Sequence, residues 1–438
     1  MTKRYIADLH LHSKYSRAVS KEMNIPVMFK WGKKKGINLI GTGDFTHPFW
    51  VHDLKENLEV MDNGFYRYKE DREVSGPFFL PSSEISCIYS QGGKTRKIHM
   101  VYLAPTIEIV EEINKKLTEI GNLTSDGRPI LGISAMELTR LILSVSDKVV
   151  VIPAHIWTPW FSLYGANSGF DSIDECFGDF ADKITAVETG LSSDPAMNWR
   201  IKELTDRQIV SFSDAHSGAK LGREATVFET DFTYQGLSRA LAGDQKDKIL
   251  YTIEFFPQEG KYHFSGHRKC QVRYSPDETK KKGKVCPVCG KPLTIGVEQR
   301  VEELSGLDES ELSLTDWLLG ESQVKGIKSV KLKRPPYVML VPLQEIIAEA
   351  LDLGVKTKGV QDEYEKIIKK IGPEFQVLLS ALKEKLEEIA QPKVVEGIMK
   401  IRQQDLDIDP GYDGVFGKVR IWGEESRPNK RQEQITLF

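Results

Sequence analysis

Residues 8–13 read DLHLHS, directly after the apolar run Tyr5-Ile6-Ala7. Side chains at positions i and i+2 of a strand share one face, so His10 and His12 present two imidazoles to one place at the end of a short strand. Taken singly, a histidine is more often a satisfied core or surface residue than a ligand. What separates the two readings is whether the rest of the chain repeats the arrangement.

It does so six more times. Apolar or β-branched runs at residues 37–42, 77–83, 149–153, 184–187 and 208–213 stop before Asp44, Glu84, His155, Glu188 and Asp214, and the run 97–103 contains His99. Stretches long enough for helices, such as 28–35 and 134–145, lie between most of them. Together with 4–7 these strands predict an α/β fold, a parallel sheet closed into a barrel, in which working residues gather where strands end. The chain has nine histidines, and His10, His12, His47, His99, His155 and His216 all fall at such places. With Asp44, Glu84 and Asp214 they supply ligands for two or three ions if one carboxylate is shared. Imidazole mixed with carboxylate suits zinc, manganese or iron better than calcium. Packing does not explain so regular a placement.

Composition sets the frame. A chain of 438 residues with net charge −3 and 28% charged residues has no global excess of positive charge, so any nucleic-acid contact must come from local basic patches. No run approaches 18 apolar residues and the first residues lack a signal-peptide apolar core, so a cytoplasmic location is expected. Five cysteines without framework spacing read as reduced thiols, some of them on metal.

DLHLHS, GTGDFTH, PSSE, KIHMVYL, IPAH and SFSDAHS, in this order over roughly residues 1–230, resemble the motifs of the PHP (polymerase and histidinol phosphatase) superfamily. The resemblance implies a distorted seven-stranded (β/α) barrel whose metal centre hydrolyses phosphoesters with metal-activated water. Carried over motif by motif, it implies that His10, His12, Glu84 and Asp214 hold one ion. Glu84 bridges to a second held by His99 and His155, and His216 with His47 or Asp44 holds a third. Many relatives have consecutive Asp-His where this chain has Asp44-Phe45-Thr46-His47, which leaves open which of the two ligates. Asp214, His155 and Glu84 are the catalytic candidates. Lys220 and Arg223, in SDAHSGAKLGREA, either pair with substrate phosphate oxygens or belong to a solvated loop. Glu188 reads as a residue standing behind the ligands.

Beyond the barrel, His267-x-x-Cys270 and Cys286-x-x-Cys289 have the spacing of a zinc ribbon whose four ligands close the tetrahedron, which makes the zinc structural. Residues 261–300 carry ten Lys or Arg against three Asp or Glu, and 324–334 is a second basic run. Either is a solvated face or a phosphate-backbone footprint. Leu343, Ile346, Ile347 and Ala350, and again Tyr364, Ile367, Ile368 and Ile371, keep helical spacing and read as core. The aromatic loop 156–164 offers Trp157, Trp160 and Tyr164 as the lining of a base pocket, or as loop packing. Gln432, Ile435 and Phe438, at the end of a hydrophilic stretch, match the pattern of peptides that dock on the sliding clamp PCNA.

The expected organisation is a barrel at 1–250, a zinc-ribbon-like module at 251–305, a mainly helical C-terminal domain at 306–423 and a tail at 424–438. As a whole the chain resembles the archaeal endonuclease Q family. That resemblance implies nicking of DNA 5′ to deaminated bases (uracil, hypoxanthine, xanthine) or abasic sites, zinc in the barrel and ribbon, Mg²⁺ or Mn²⁺ for activity, and DNA and PCNA as partners. Spacing and composition by themselves support only a metal-dependent phosphodiesterase with a DNA-binding module. A small-molecule phosphatase of the histidinol-phosphate type and a non-catalytic, zinc-dependent DNA or clamp adaptor are the alternatives.

Overall fold

Local signals place the helices. The one expected at 28–35 runs Ile25–Lys35, because Asn24 caps it by accepting from the Val27 amide and Gly36, at φ +83°, ends it. The next, Ala135–Val145, starts at a reciprocal Ser134/Glu137 capping box. The computed structural model describes residues 2–423.

All seven expected strands form, as Thr2–Asp8, Leu39–Gly41, Phe78–Leu80, Lys94–Leu103, Val150–Pro153, Ala186–Glu188 and Gln208–Val210. The first three are parallel neighbours, and so are the last two. An isolated bridge between Leu11 and Ala215 brings the end of the first strand to the end of the last.

The middle of the series departs from the parallel expectation. After Pro81 the chain makes a further strand, Ser82–Gln91, which reverses at Gly92-Gly93 into Lys94–Leu103. Both glycines have positive φ, 61° and 72°, the two-residue hairpin geometry that glycine admits and other residues resist. Lys94–Leu103 therefore runs antiparallel to its neighbours on both sides. Glu84 lies within a strand and not at the end of one. The register sets Ser86 opposite His99 and Glu84 opposite Val101, so Glu84 and His99 share a face as diagonal neighbours. Among the described residues the hydrogen-bonded order is a ten-stranded sheet, a four-stranded sheet and three two-stranded ones, not a single closed ring of seven.

The C-terminal part opens as sheet before it becomes helical. Tyr337–Met339 pairs with Lys248–Glu254, and the hairpin Leu314–Leu319/Val324–Ser329 extends the same sheet. The basic run at 324–334 thus supplies a strand. Its Arg334 is spent on the backbone carbonyls of Arg207 and Leu204, while Lys328, Lys331 and Lys333 stay exposed. In the helices that follow, Leu343, Ile346, Ile347, Ala350, Tyr364, Ile367 and Ile371 are buried as their spacing required, and Ile368 is half-buried against the same core. No helix among the described residues is long and apolar enough to cross a membrane.

Candidate metal centre

Three backbone positions at this site, Asp44, His155 and Asp214, adopt φ of 50°, 29° and 47°. Non-glycine residues enter this region at a cost of about 1–3 kcal/mol each, and such residues cluster at functional sites. Trp50 pins the turn before Asp44 by donating from its indole nitrogen to the Gly43 carbonyl at 2.7 Å. Gly127 faces the same carboxylate so closely that a Cβ there would meet Asp44 Oδ2 at 2.3 Å.

Two donor sets converge: His10, His12 and Asp214 form one, and Glu84, His99 and His155 the other. His12 Nε2 lies 3.2 Å from Glu84 Oε2 and 3.1 Å from Asp214 Oδ1, while His10 Nε2 lies 3.7 and 3.8 Å from the same two atoms. Glu84 Oε1 faces the second set, 2.5 Å from His99 Nδ1 and 3.1 Å from His155 Nε2. One carboxylate thus spans both. Burial pushes the His99 imidazole down to about 4 despite its carboxylate neighbour. Burial opposes the charge on Glu84, but the Arg128 guanidinium beside it holds the carboxyl well below its usual range.

The ligand histidines are held from behind. His10 Nδ1 donates to both oxygens of Glu188 at 2.9 and 3.0 Å, and His12 Nδ1 donates to Asp44 Oδ1 at 3.0 Å. A carboxylate only accepts, so each ring carries its proton on Nδ1 and turns the Nε2 lone pair inward. That is the usual support for a metal-bound histidine. The inward atoms His10 Nε2, His12 Nε2 and Asp214 Oδ1 are buried without a hydrogen-bond partner, a costly state that a divalent cation would relieve. The residues fit a metal.

Several expected ligands lie outside the two converging sets. Asp44 is not among the converging donors: Oδ1 faces His12, and Oδ2 accepts from the Ser13 amide, Ser13 Oγ and Ser16 Oγ. His47 is also outside both sets, its ring stacked on Tyr15 and its Nε2 donating to the Thr124 carbonyl. His216 stands beside His12 with ring centroids 4.8 Å apart, its Nδ1 held by the Asp214 carbonyl. Lys220 pairs with Glu345 at 2.6 Å, and Arg223 donates to the carbonyls of Ser213 and Asp214. Trp157 and Tyr164 are fully buried, against each other and against Asn198 and Glu203, which makes them loop packing; Trp160 is exposed.

The cation that sequence reasoning missed is Arg128, whose Nη1 donates to Glu84 Oε2 at 3.0 Å. The only signal was Asp126-Gly127-Arg128-Pro129, a turn-rich stretch between helix and strand. In the ribbon region, His267, Cys270, Cys286 and Cys289 bring their donor atoms within 4.8 Å of one another. Gln432, Ile435 and Phe438 lie outside the described residues.

A family model, the MJ0043 C-terminal domain, matches residues 342–405. MJ0043 of Methanocaldococcus jannaschii is 35% identical over 292 residues, 64% of this chain, and the chain spans 33% of that protein's length. YqxK of Bacillus subtilis is 30% identical over 95% of this chain and 100% of its own. The lesion-specific endonuclease PfuEndoQ from Pyrococcus furiosus superposes with a TM-score of 0.80 at 31% identity, covering 95% of both chains. An endonuclease Q in complex with a 27-mer duplex substrate carrying an abasic lesion at its active site also gives 0.80, at 32% identity over 97% of this chain and 98% of its own. A likeness of that extent, on a fold that closes two histidine–carboxylate sets around one glutamate, defines a metal-dependent phosphodiesterase of the nuclease class. Within that class, the chain belongs to the endonuclease Q family.

Proposed function

We propose that this protein is a DNA repair endonuclease that hydrolyses the phosphodiester 5′ to a deaminated base (uracil, hypoxanthine or xanthine) or an abasic site. The observation that carries the reading is Glu84, whose two oxygens face two separate donor sets. His10, His12, Glu84 and Asp214 would hold one ion, and Glu84, His99 and His155 the other. Such a pair of cations, typically about 3.5–4 Å apart, supplies charge for the phosphate, an activated water and stabilisation of the leaving oxygen.

The chain's own residues do the rest. Glu188 and Asp44 fix the ring orientation of His10 and His12. Arg128 is the cation placed to bind a non-bridging phosphate oxygen. We read the ion identities as zinc in the barrel, with Mg²⁺ or Mn²⁺ supporting turnover, and a structural zinc on His267, Cys270, Cys286 and Cys289. The seven strands read as a distorted barrel, with the unit boundaries given above and Gln432, Ile435 and Phe438 as a clamp-docking peptide.

The test is a gel assay on labelled duplexes carrying normal bases, uracil, hypoxanthine, xanthine or an abasic site, with and without Mg²⁺ or Mn²⁺. Nicks should fall 5′ to the lesion and vanish in Asp214→Asn. Cleavage of none of the duplexes would overturn the reading, and hydrolysis of small phosphomonoesters alone would favour the phosphatase alternative.

A further inference from the structure

We infer that an aromatic ledge leading away from the metal centre is the platform on which unpaired bases next to the scissile phosphate stack. The inference rests on the nuclease reading above and names the strand contact that reading lacks. The ledge starts at Phe161, whose ring lies 4.8 Å from that of His99 and whose carbonyl accepts from the His99 amide. Phe161 sits at φ +65°, a strained conformation for an aromatic residue. Its neighbour Trp160 is 38% exposed and meets Tyr262 edge-on at 5.4 Å. From Tyr262 the surface continues to Lys261, whose ammonium lies 5.6 Å from the Tyr262 ring and 5.7 Å from that of Phe416. Phe416 is 69% exposed.

Isolated exposed aromatics are ordinary on a protein surface. These are not isolated: they run in sequence from a ligand histidine to the ribbon side of the molecule. A cation lies over each end, Lys97 at 5.1 Å from the Phe161 ring and Lys261 between Tyr262 and Phe416. Aromatic faces alternating with cations are what a single-stranded nucleic acid needs, since every base has a face to stack and every phosphate a charge to neutralise. An apolar peptide would leave the lysines without counter-charge. The occupant is therefore a short unpaired DNA segment, contacted without regard to sequence.

The test uses the full chain and a duplex containing one uracil with 2-aminopurine beside it. Affinity is measured by anisotropy without added Mg²⁺ or Mn²⁺, stacking by 2-aminopurine fluorescence, and nicking by the parent in parallel. Trp160→Ala and Phe416→Ala should each weaken binding roughly 5- to 100-fold and diminish the fluorescence change. Trp160→Phe should restore most of the loss, and Lys261→Gln should lower the salt slope of binding by about one unit. Phe416 is exposed enough that its removal leaves the fold intact. Unchanged affinity and fluorescence in both alanine variants, with a parent that nicks, would overturn the ledge alone. A parent that binds through Trp160 but never nicks would overturn the nuclease reading and leave the ledge standing.

Discussion

Arg128 donates from Nη1 to Oε2 of Glu84 at 3.0 Å, planting a permanent cation beside the carboxylate that joins the two donor sets. Removing that charge should slow catalysis more than it weakens metal binding, because the six metal donors stay in place. Arg128→Met is expected to lower kcat on a uracil-containing duplex about 100-fold, with Arg128→Lys recovering part of it. Metal content is measured alongside. A variant that loses metal in proportion to activity would show that Arg128 serves only to hold Glu84.

His12 depends on Asp44 for its orientation, and His10 on Glu188. Asp44→Asn and Glu188→Gln keep the size of each side chain but weaken its hold on the ring. Each should reduce metal affinity about 10- to 100-fold, read by titration with a competing chelator. Excess metal should then rescue nicking. Failure of rescue at saturating metal would assign these carboxylates a direct part in the reaction.

The set of His267, Cys270, Cys286 and Cys289 shares no ligand with the two histidine–carboxylate sets. Cys289→Ser should therefore cost one metal ion per chain and weaken DNA binding, while the ions of the histidine–carboxylate sets remain. Elemental analysis decides this, and loss of all metal together would contradict it.

Glu254 is buried among Ser211, Thr252 and Thr189, and burial pushes its carboxyl up to about 8. Its folded-state value is raised above the unfolded value of 4.5, so its contribution to stability is full below about 4.5 and is lost as pH rises through about 8. Glu254→Gln should flatten the fall in Tm across that window, by an amount on the order of a few kcal/mol in stability at the alkaline end. An identical pH profile for parent and variant would rule this out.

For the C-terminal tail, deletion of Phe438 should abolish capture by immobilised PCNA, since an aromatic anchor carries most of such a contact. Unchanged capture would rule out the docking assignment.

How much of this was legible in the chain can be judged residue by residue. Strand positions were, because apolar runs of four to seven residues broken by a polar ligand leave little choice. His10, His12, Glu84, His99, His155 and Asp214 were legible as a set for the same reason. The direction of the strand bearing His99 was not read, although Gly92-Gly93 is the hairpin signal that sets it. Trp157 and Tyr164 looked like a pocket because composition cannot tell an aromatic ring that faces a ligand from one that faces Asn198 or Glu203.

Asp44 shows where the division falls. By itself the sequence determined that a carboxylate stands at that strand end, among enough imidazoles to hold metal. Only the tertiary structure decided that it turns to Nδ1 of His12 and the hydroxyls of Ser13 and Ser16, and that Arg128 arrives beside Glu84. The periodicity of a strand acts over neighbouring residues and is written in the chain. Which lone pair meets which proton depends on distances between segments 30 to 180 positions apart, and those are set only when the sheets pack.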